Sequence, residues 1–383
     1  MLDLSCIESL PKEYRAHFPI TEQYIYLNHA SVSPPSIEVR DAMAQLMDGV
    51  TRHGCRKFPE WEQSNDWARS AAARLVNAQP REIAFLRNTS EALSVVANGV
   101  TWQPGDNIVG ISVEFPANIY PWLRLARESQ VELRLQEAHN GWVDVDELLS
   151  RIDERTRLVT VSWVEFGSGQ RLDIRRIGKF CRERNILFVV DAVQGLGALQ
   201  LDVELDFVDA FAAASHKFLL GPKGIALLYV SDRVLEQIRP TVIGWTAVKN
   251  FRDYQIHDFD FREGAARFEG GTLNEVGICG LGHAIDLFLT AGPIRIEQHL
   301  LSLSDYISQK LADKGYTVLN SGKAAERSAI VVCEHPDRSA EEIFTRLEAR
   351  NIVVSARLGR LRIAPHFYNS RDDIDAMIDA LPS

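Results

Sequence analysis

The sequence predicts an α/β protein with a large domain built on a mostly parallel central sheet and a smaller C-terminal α/β domain. Three observations carry this. From about residue 70 to 230, short apolar runs alternate with helix-like segments. The runs are apolar at nearly every position, as strands covered on both faces are. After about residue 290 the alternation starts again in shorter pieces, which sets off a second unit.

Taken in order, "NIVGI" (107–111), "VELRL" (131–135), "RLVTVSW" (157–163), "ILFVVDA" (186–192), "FVDAFAAA" (207–214) and "IALLYV" (225–230) read as strands. Helical patterns fall at 90–100, 121–129, 145–152 and 174–184. The second unit reads as a helix over 294–314, then "YTVLN", "AIVVCEH", a helix over 340–350, "NIVVSA", "LRIAPHF" and a last helix over 371–381. A Gly-rich passage, "RFEGGTLNEVGICGLGHAIDLFL", joins the two, with no repeat and no pure linker. The boundary expected is 21–275 for the large domain, with 1–20 and 276–383 forming the small one.

The bulk numbers exclude several function classes. With 383 residues, 46% hydrophobic and 25% charged, the chain can bury a sizeable core and is not disordered. A formal net charge of −10 without a long basic run argues against nucleic-acid or anionic-membrane partners. Cys6, Cys55, Cys181, Cys279 and Cys333 are odd in number, scattered, and form no C-x-x-C pair, so neither a disulfide framework nor a metal site is expected. The N-terminal stretch lacks a secretory apolar segment, and no run reaches membrane-spanning length. A reduced, cytoplasmic protein is the expectation.

Three places invite chemistry. "ILFVVDAVQGLG" ends an apolar run in Asp191, and ligands of open α/β sheets bind outside the carboxyl ends of strands. An aspartate that simply caps the next turn is the alternative. "FAAASHKFLLGPKG" puts Lys217 just after another strand, where both charges can face one crevice. A lysine that snorkels to solvent is the plain reading, but a desolvated lysine suits a Schiff base, and an anionic Asp opposite suits a pyridinium nitrogen. "FLRNTSEALSVV" runs strand, polar turn, helix, so Asn88, Thr89 and Ser90 sit at a helix N-terminus fit for a phosphate or for plain capping.

With "VVDAVQGLG", "SHKFLLGPKG" and "RFEGGTLN" occurring in that order, the chain resembles the class V aminotransferase superfamily of pyridoxal 5′-phosphate (PLP) enzymes, fold type I. That group includes cysteine desulfurases, selenocysteine lyases, isopenicillin N epimerase-like proteins and kynureninase. The resemblance runs from "YIYLNHASVSPPS" to "LRIAPHFYNSRDDIDAMI". It implies that Lys217 forms the internal aldimine, Asp191 pairs with the pyridine nitrogen, Gln194 bonds the ring hydroxyl and Phe115 stacks on the ring. It assigns the phosphate to Thr89, Ser90, His216 and Ser215, and to Thr272 of a neighbouring subunit, hence a homodimer with shared sites. Arg362 would bind the carboxylate of an amino-acid substrate, and Asn28, His29 and Ala30 would line the pocket.

Three departures bear on activity. Desulfurases carry a nucleophilic cysteine on a loop before the carboxylate-binding arginine, whereas "NIVVSARLGRLRIAP" is short and has none. Phe115, in "VEFPAN", replaces their ring-stacking histidine and cannot shuttle a proton. Trp163 and Glu165, in "VSWVEFGSG", stand where desulfurases have an asparagine over the ring, and Trp163 would narrow the pocket. The leading expectation is therefore an amino-acid lyase that eliminates a β-substituent, cleaving a C–S bond without a protein persulfide. The alternatives are an aminotransferase, an epimerase, or a kynureninase-like hydrolase with an aromatic pocket near His29, Trp163 and Tyr120. A catalytically dead binding module has no use for Lys217, Asp191 and Arg362 together. A nicotinamide-linked oxidoreductase would need G-x-G-x-x-G after the first strand, which is missing.

Overall fold

The computed structural model describes residues 9–255, 257–319 and 322–382. Cys6 and the Asn320 that ends "YTVLN" lie outside the described residues. After a two-residue strand β1 (Ile25–Tyr26), the chain forms β2 (Ile83–Leu86), β3 (Asn107–Ile111), β4 (Glu132–Gln136), β5 (Thr156–Ser162), β6 (Leu187–Asp191), β7 (Ala210–Ala214) and β8 (Ala226–Val230). Strands β2 to β8 make one sheet in the order β2-β8-β7-β6-β5-β3-β4.

Neighbours from β4 through to β7 pair in parallel. The strand β8 runs antiparallel to both β7 and β2. The apolar runs explain the burial: β3, β6, β7 and β8 are buried at every residue. They do not reveal direction. A parallel return needs a crossover of about a dozen residues or more, and the short loop 215–225 instead turns the chain straight back. At the outer edge, β4 carries two charged residues, and its Glu132 and Arg134 pair at 2.7 Å. Charges on an edge strand discourage pairing with a foreign strand.

Helix Glu275–Ala291 packs against helices Ile37–His53 and Phe58–Val76. Small residues permit the approach: a Cβ on Gly282 would lie 2.6 Å from the Trp67 ring. This helix shares one apolar core with the large sheet, through Ile278, Leu281 and Ile285.

The C-terminal part adds β9 (Thr317–Leu319), β10 (Val331–Glu334), β11 (Ile352–Val353), β12 (Ser355–Arg357) and β13 (Arg360–Ile363). Four of these form an antiparallel sheet ordered β12-β13-β10-β9, while β11 pairs in parallel with β1. Helices Pro293–Asp313, Ala340–Glu348 and Arg371–Ala380 supply Leu303, Ile307, Ile343, Leu347, Ile374 and Met377 to its core. Ser339 and Ser370 each start a helix through a reciprocal capping box, which satisfies two otherwise orphaned backbone donors. Strands β12 and β13 are joined by Leu358 and Gly359 alone, both at positive φ (52° and 74°), as a tight hairpin turn requires. Among the described residues, no single helix is long and apolar enough to span a bilayer.

Candidate active site

A cavity of about 470 Å³ opens where the large sheet meets the C-terminal part, a size typical of small-molecule sites. Its floor is the carboxyl edge of the sheet: Ser162, Asp191 and Ala214, the last residues of β5, β6 and β7, all line it. This is the crevice that parallel strands create when their connections all leave from one edge. Lys217 enters from the 215–225 loop, Asn88, Thr89 and Ser90 from the start of helix Thr89–Gly99, and Arg357 and Arg362 from the β12–β13 hairpin.

Asp191 is 5% exposed and accepts the Val193 N–H at 3.0 Å. Burial pushes its carboxyl up to about 6, and the Val193 bond and the nearby Lys217 charge hold it from going higher. Burial pushes the Lys217 ammonium down to about 8, against the pull of Asp191; Arg362 and Arg357 push it further down. Two more carboxyls lie close by. Glu114 accepts the Ser162 N–H and hydroxyl, each at 2.5 Å, and is held at about 8 by burial and then by the Asp191 charge. Glu165 is 1% exposed with neither oxygen partnered, and burial, then Glu114, holds it well above the usual range. One lysine cannot balance three buried carboxylates, so Glu114 and Glu165 stay protonated at neutral pH.

Arg362 is 3% exposed and donates to the Phe166 carbonyl (2.9 Å), Ser31 Oγ (2.8 Å) and Ser355 Oγ (3.2 Å). All three acceptors are neutral. Burial, then the neighbouring Arg357 charge, lowers its guanidinium to about 10. A buried guanidinium without a carboxylate is an anion site in waiting. Phe115 is 45% exposed; its ring stands 5.2 Å from Lys217 Nζ and meets Phe166 edge-on at 5.4 Å.

Several residues singled out in the sequence lie elsewhere. Ala30 lines the cavity, but Asn28 and His29 stand behind it. His29 is fully buried and pushed down to about 3. Its Nδ1 faces the Ala364 carbonyl at 2.8 Å, and a carbonyl can only accept, so Nδ1 carries the proton and Nε2 accepts from the Tyr368 hydroxyl at 2.7 Å. Ser215 is fully buried and donates to the Pro222 carbonyl, so it braces the Lys217 loop, whereas His216 does line the cavity. Trp163 does not narrow the pocket. Strand alternation sends Ser162 into the cavity and Trp163 to the opposite face, where a Cβ on Gly195 would sit 2.3 Å from its ring. Thr272 is exposed and lines a separate hollow of about 250 Å³ with Val242, Gly270 and Gly271.

Sequence reasoning missed Ser31, Phe166 and Arg357. Their nearness to the cavity comes from tertiary pairing, and nothing in their local sequence marks it. No cysteine among the described residues lines the cavity. Cys333, on β10, is fully buried, and burial pushes its thiol up to about 12.

The aminotransferase class-V family profile matches residues 25–376, and the chain belongs to that family. It is 33% identical over 308 residues to a protein of Methanothermobacter thermautotrophicus named "Probable cysteine desulfurase", covering 77% of this chain and 74% of the relative. Its backbone matches an apo cysteine desulfurase of Thermococcus onnurineus with a TM-score of 0.88 at 25% identity, over 96% of both chains. A C-DES variant with glycine covalently linked to its PLP cofactor matches at 0.89 and 22% identity, over 95% of this chain and 98% of that one, which speaks for a shared fold. The protein is thus a PLP-dependent enzyme of the cysteine desulfurase-like class V group, with fold type I.

The cavity suits that cofactor on its own geometry. Thr89 Oγ1 and Gln194 Oε1 both belong to cavity-lining residues, and both are buried without a hydrogen-bond partner. Buried polar atoms are seldom left so unless a ligand completes them. Asn88 Oδ1 already caps the helix through the Glu91 N–H at 2.9 Å, which leaves the Thr89 hydroxyl and the first-turn amides for an anion.

Proposed function

We propose that this enzyme removes a β-substituent from an amino acid, cleaving a C–S bond in a cysteine-derived substrate without passing sulfur through a protein thiol. The observation that carries this reading is the cavity itself: it gathers Lys217, Asp191 and Arg362, and no cysteine among the described residues reaches it. The tight Leu358–Gly359 turn leaves no loop there to bring one in.

PLP, when bound through Lys217, supplies an electron sink for charge left at the substrate Cα. The remaining work falls to the chain. Asp191 would hold a proton on the cofactor's ring nitrogen, Thr89, Ser90 and His216 would hold its phosphate, and Phe115 would lie against its ring. Arg362 takes the substrate α-carboxylate with two parallel donors and so turns the Cα–H bond toward Lys217. Lys217, with its lowered proton affinity, takes that proton as general base. The C–S electron pair then leaves on sulfur as a thiolate, with no net oxidation. The three-carbon remainder hydrolyses to pyruvate and ammonium. Neutral His29 and buried Trp163 both lie off the cavity, which weakens the kynureninase-like alternative.

A homodimer is part of this proposal. Thr272 lines a separate hollow and not the cavity of its own chain, and Val242 in that hollow, with Ile243 and Trp245 close by in sequence, is part of a run that is 48%, 52% and 45% exposed, apolar surface that a second copy would cover. Light scattering on the holoenzyme tests it.

The test of function is product analysis. Holoenzyme mixed with cysteine, cystine and S-alkyl cysteines is expected to yield pyruvate and a sulfur product in equal amounts, and Lys217→Ala to yield none. Pyridoxamine phosphate and a 2-oxo acid in place of pyruvate would mean transamination and would end the lyase reading.

A further inference from the structure

The cavity holds one more cation than the proposed chemistry uses. Arg357 ends β12 and lines the cavity beside Arg362. Its charge is felt by both Lys217 and Arg362. Yet among the described residues the Arg357 side chain makes no hydrogen bond and no ion pair.

The hairpin register shows why this cation faces inward. Ser355 stands opposite Arg362, and Arg357 opposite Arg360. Directly paired residues, and those two positions along, share one face of a sheet. All four therefore project from the same side, and Arg357 lies diagonally across from Arg362, with backbones roughly 7–8 Å apart. Arg360 is neutralised by Glu334. Arg362 is seated on Ser31, Ser355 and the Phe166 carbonyl. The turn between Arg357 and Arg360 is only two residues long, so the backbone of Arg357 is held at the cavity mouth while its exposed side chain stays available to a ligand.

Two guanidiniums at this spacing, one buried and one at the rim, match a substrate with two anionic ends. The geometry points to Arg357 as a specificity-determining residue that recognises a second carboxylate at the far end of the substrate side chain. The inference rests on the reading of this cavity as an amino-acid site. It adds that the preferred substrates are acidic S-substituted cysteines, in which the departing sulfur fragment carries the carboxylate. The apolar wall of Phe115, Phe166 and Val32 would flank the methylene and sulfur atoms between the two anions.

The test compares S-carboxymethylcysteine with its neutral isostere, S-carboxamidomethylcysteine. Each is titrated into holoenzyme, with the change in the visible absorption band as the readout of binding. The wild-type enzyme is expected to bind the acid about tenfold more tightly than the amide. Arg357→Gln should bring the two within about twofold while leaving amide binding unchanged, and Arg360→Gln should keep the tenfold preference. Equal wild-type binding of acid and amide would overturn the inference. So would an Arg357→Gln variant that weakens both ligands alike, loses the cofactor band, or dissociates, since Arg357 would then serve the cofactor or the assembly. Pyruvate release separates the two claims. If neither compound yields pyruvate but the binding preference and its loss in Arg357→Gln hold, elimination fails and the second anion site stands.

Discussion

Asp191 and Asp209 are the same residue type, buried alike at 5% and 1% exposure, one ending β6 and the other leading into the adjoining β7. They sit at opposite ends of it. Asp209, just before β7, accepts the Phe188 N–H at 3.0 Å, Arg233 through Nη2 at 2.5 Å and Nε at 3.0 Å, and Arg182 at 3.3 Å. Asp191, at the end of β6, accepts the Val193 N–H and faces Lys217 across the cavity. At the amino edge the chain surrounds its buried charge with donors and gains a clamp between strand, helix and loop. At the carboxyl edge it withholds them, and the charge stays available to a ligand. Burial alone does not distinguish a structural carboxylate from a functional one; the number of donors around it does.

Breaking each site should therefore have opposite effects. Asp209→Ala leaves two arginines facing an emptied, buried position and is expected to cost about 3–5 kcal/mol of stability, measured by urea denaturation. Asp191→Asn should cost less than about 1 kcal/mol and lower turnover at least about a hundredfold. Equal stability losses would break the comparison.

The pH dependence sharpens it. Folding raises the Asp191 carboxyl from 3.8 to about 6, so the folded cofactor-free protein binds a proton there that the unfolded chain releases. The sign follows: this group's contribution is fully present below about pH 4 and is lost as pH rises through about 6. The difference in stability between the cofactor-free wild type and Asp191→Asn should therefore shift by up to about 3 kcal/mol between those limits. A flat difference would mean that Asp191 is better solvated than its burial suggests.

The smallest effect separates the two arginines of the clamp. Arg233→Gln removes two close bonds and should cost about 1–2 kcal/mol. Arg182 is 36% exposed with one bond at 3.3 Å, so Arg182→Gln should cost less than about 1 kcal/mol.

The centre of this site was legible in the sequence for a definite reason. Asp191 and Lys217 each follow an apolar run, and a charge at the end of a buried strand stands out against its neighbours. The antiparallel course of β8 was not legible, because an apolar run has no direction and only the shortness of the 215–225 loop constrains it. Trp163 and Ser215 were misplaced for a related reason. Each sits beside a cavity residue, but neighbours along an extended chain face opposite ways. Arg357 was hidden differently: Arg357, Arg360 and Arg362 look alike in "ARLGRLR", and only the fold shows that Glu334 takes the second and neutral oxygens the third.

The two-residue turn at Leu358 and Gly359 has a consequence for engineering. It directly follows the cavity-lining Arg357 yet belongs to no layer of the core, and Leu358 is 71% exposed. Surface turns of this kind accept added residues at small entropic cost. A graft of several residues carrying one thiol, placed there, would bring a sulfur acceptor to the substrate while the strands on either side keep their register. The chemistry of this scaffold can thus be redirected by lengthening one turn.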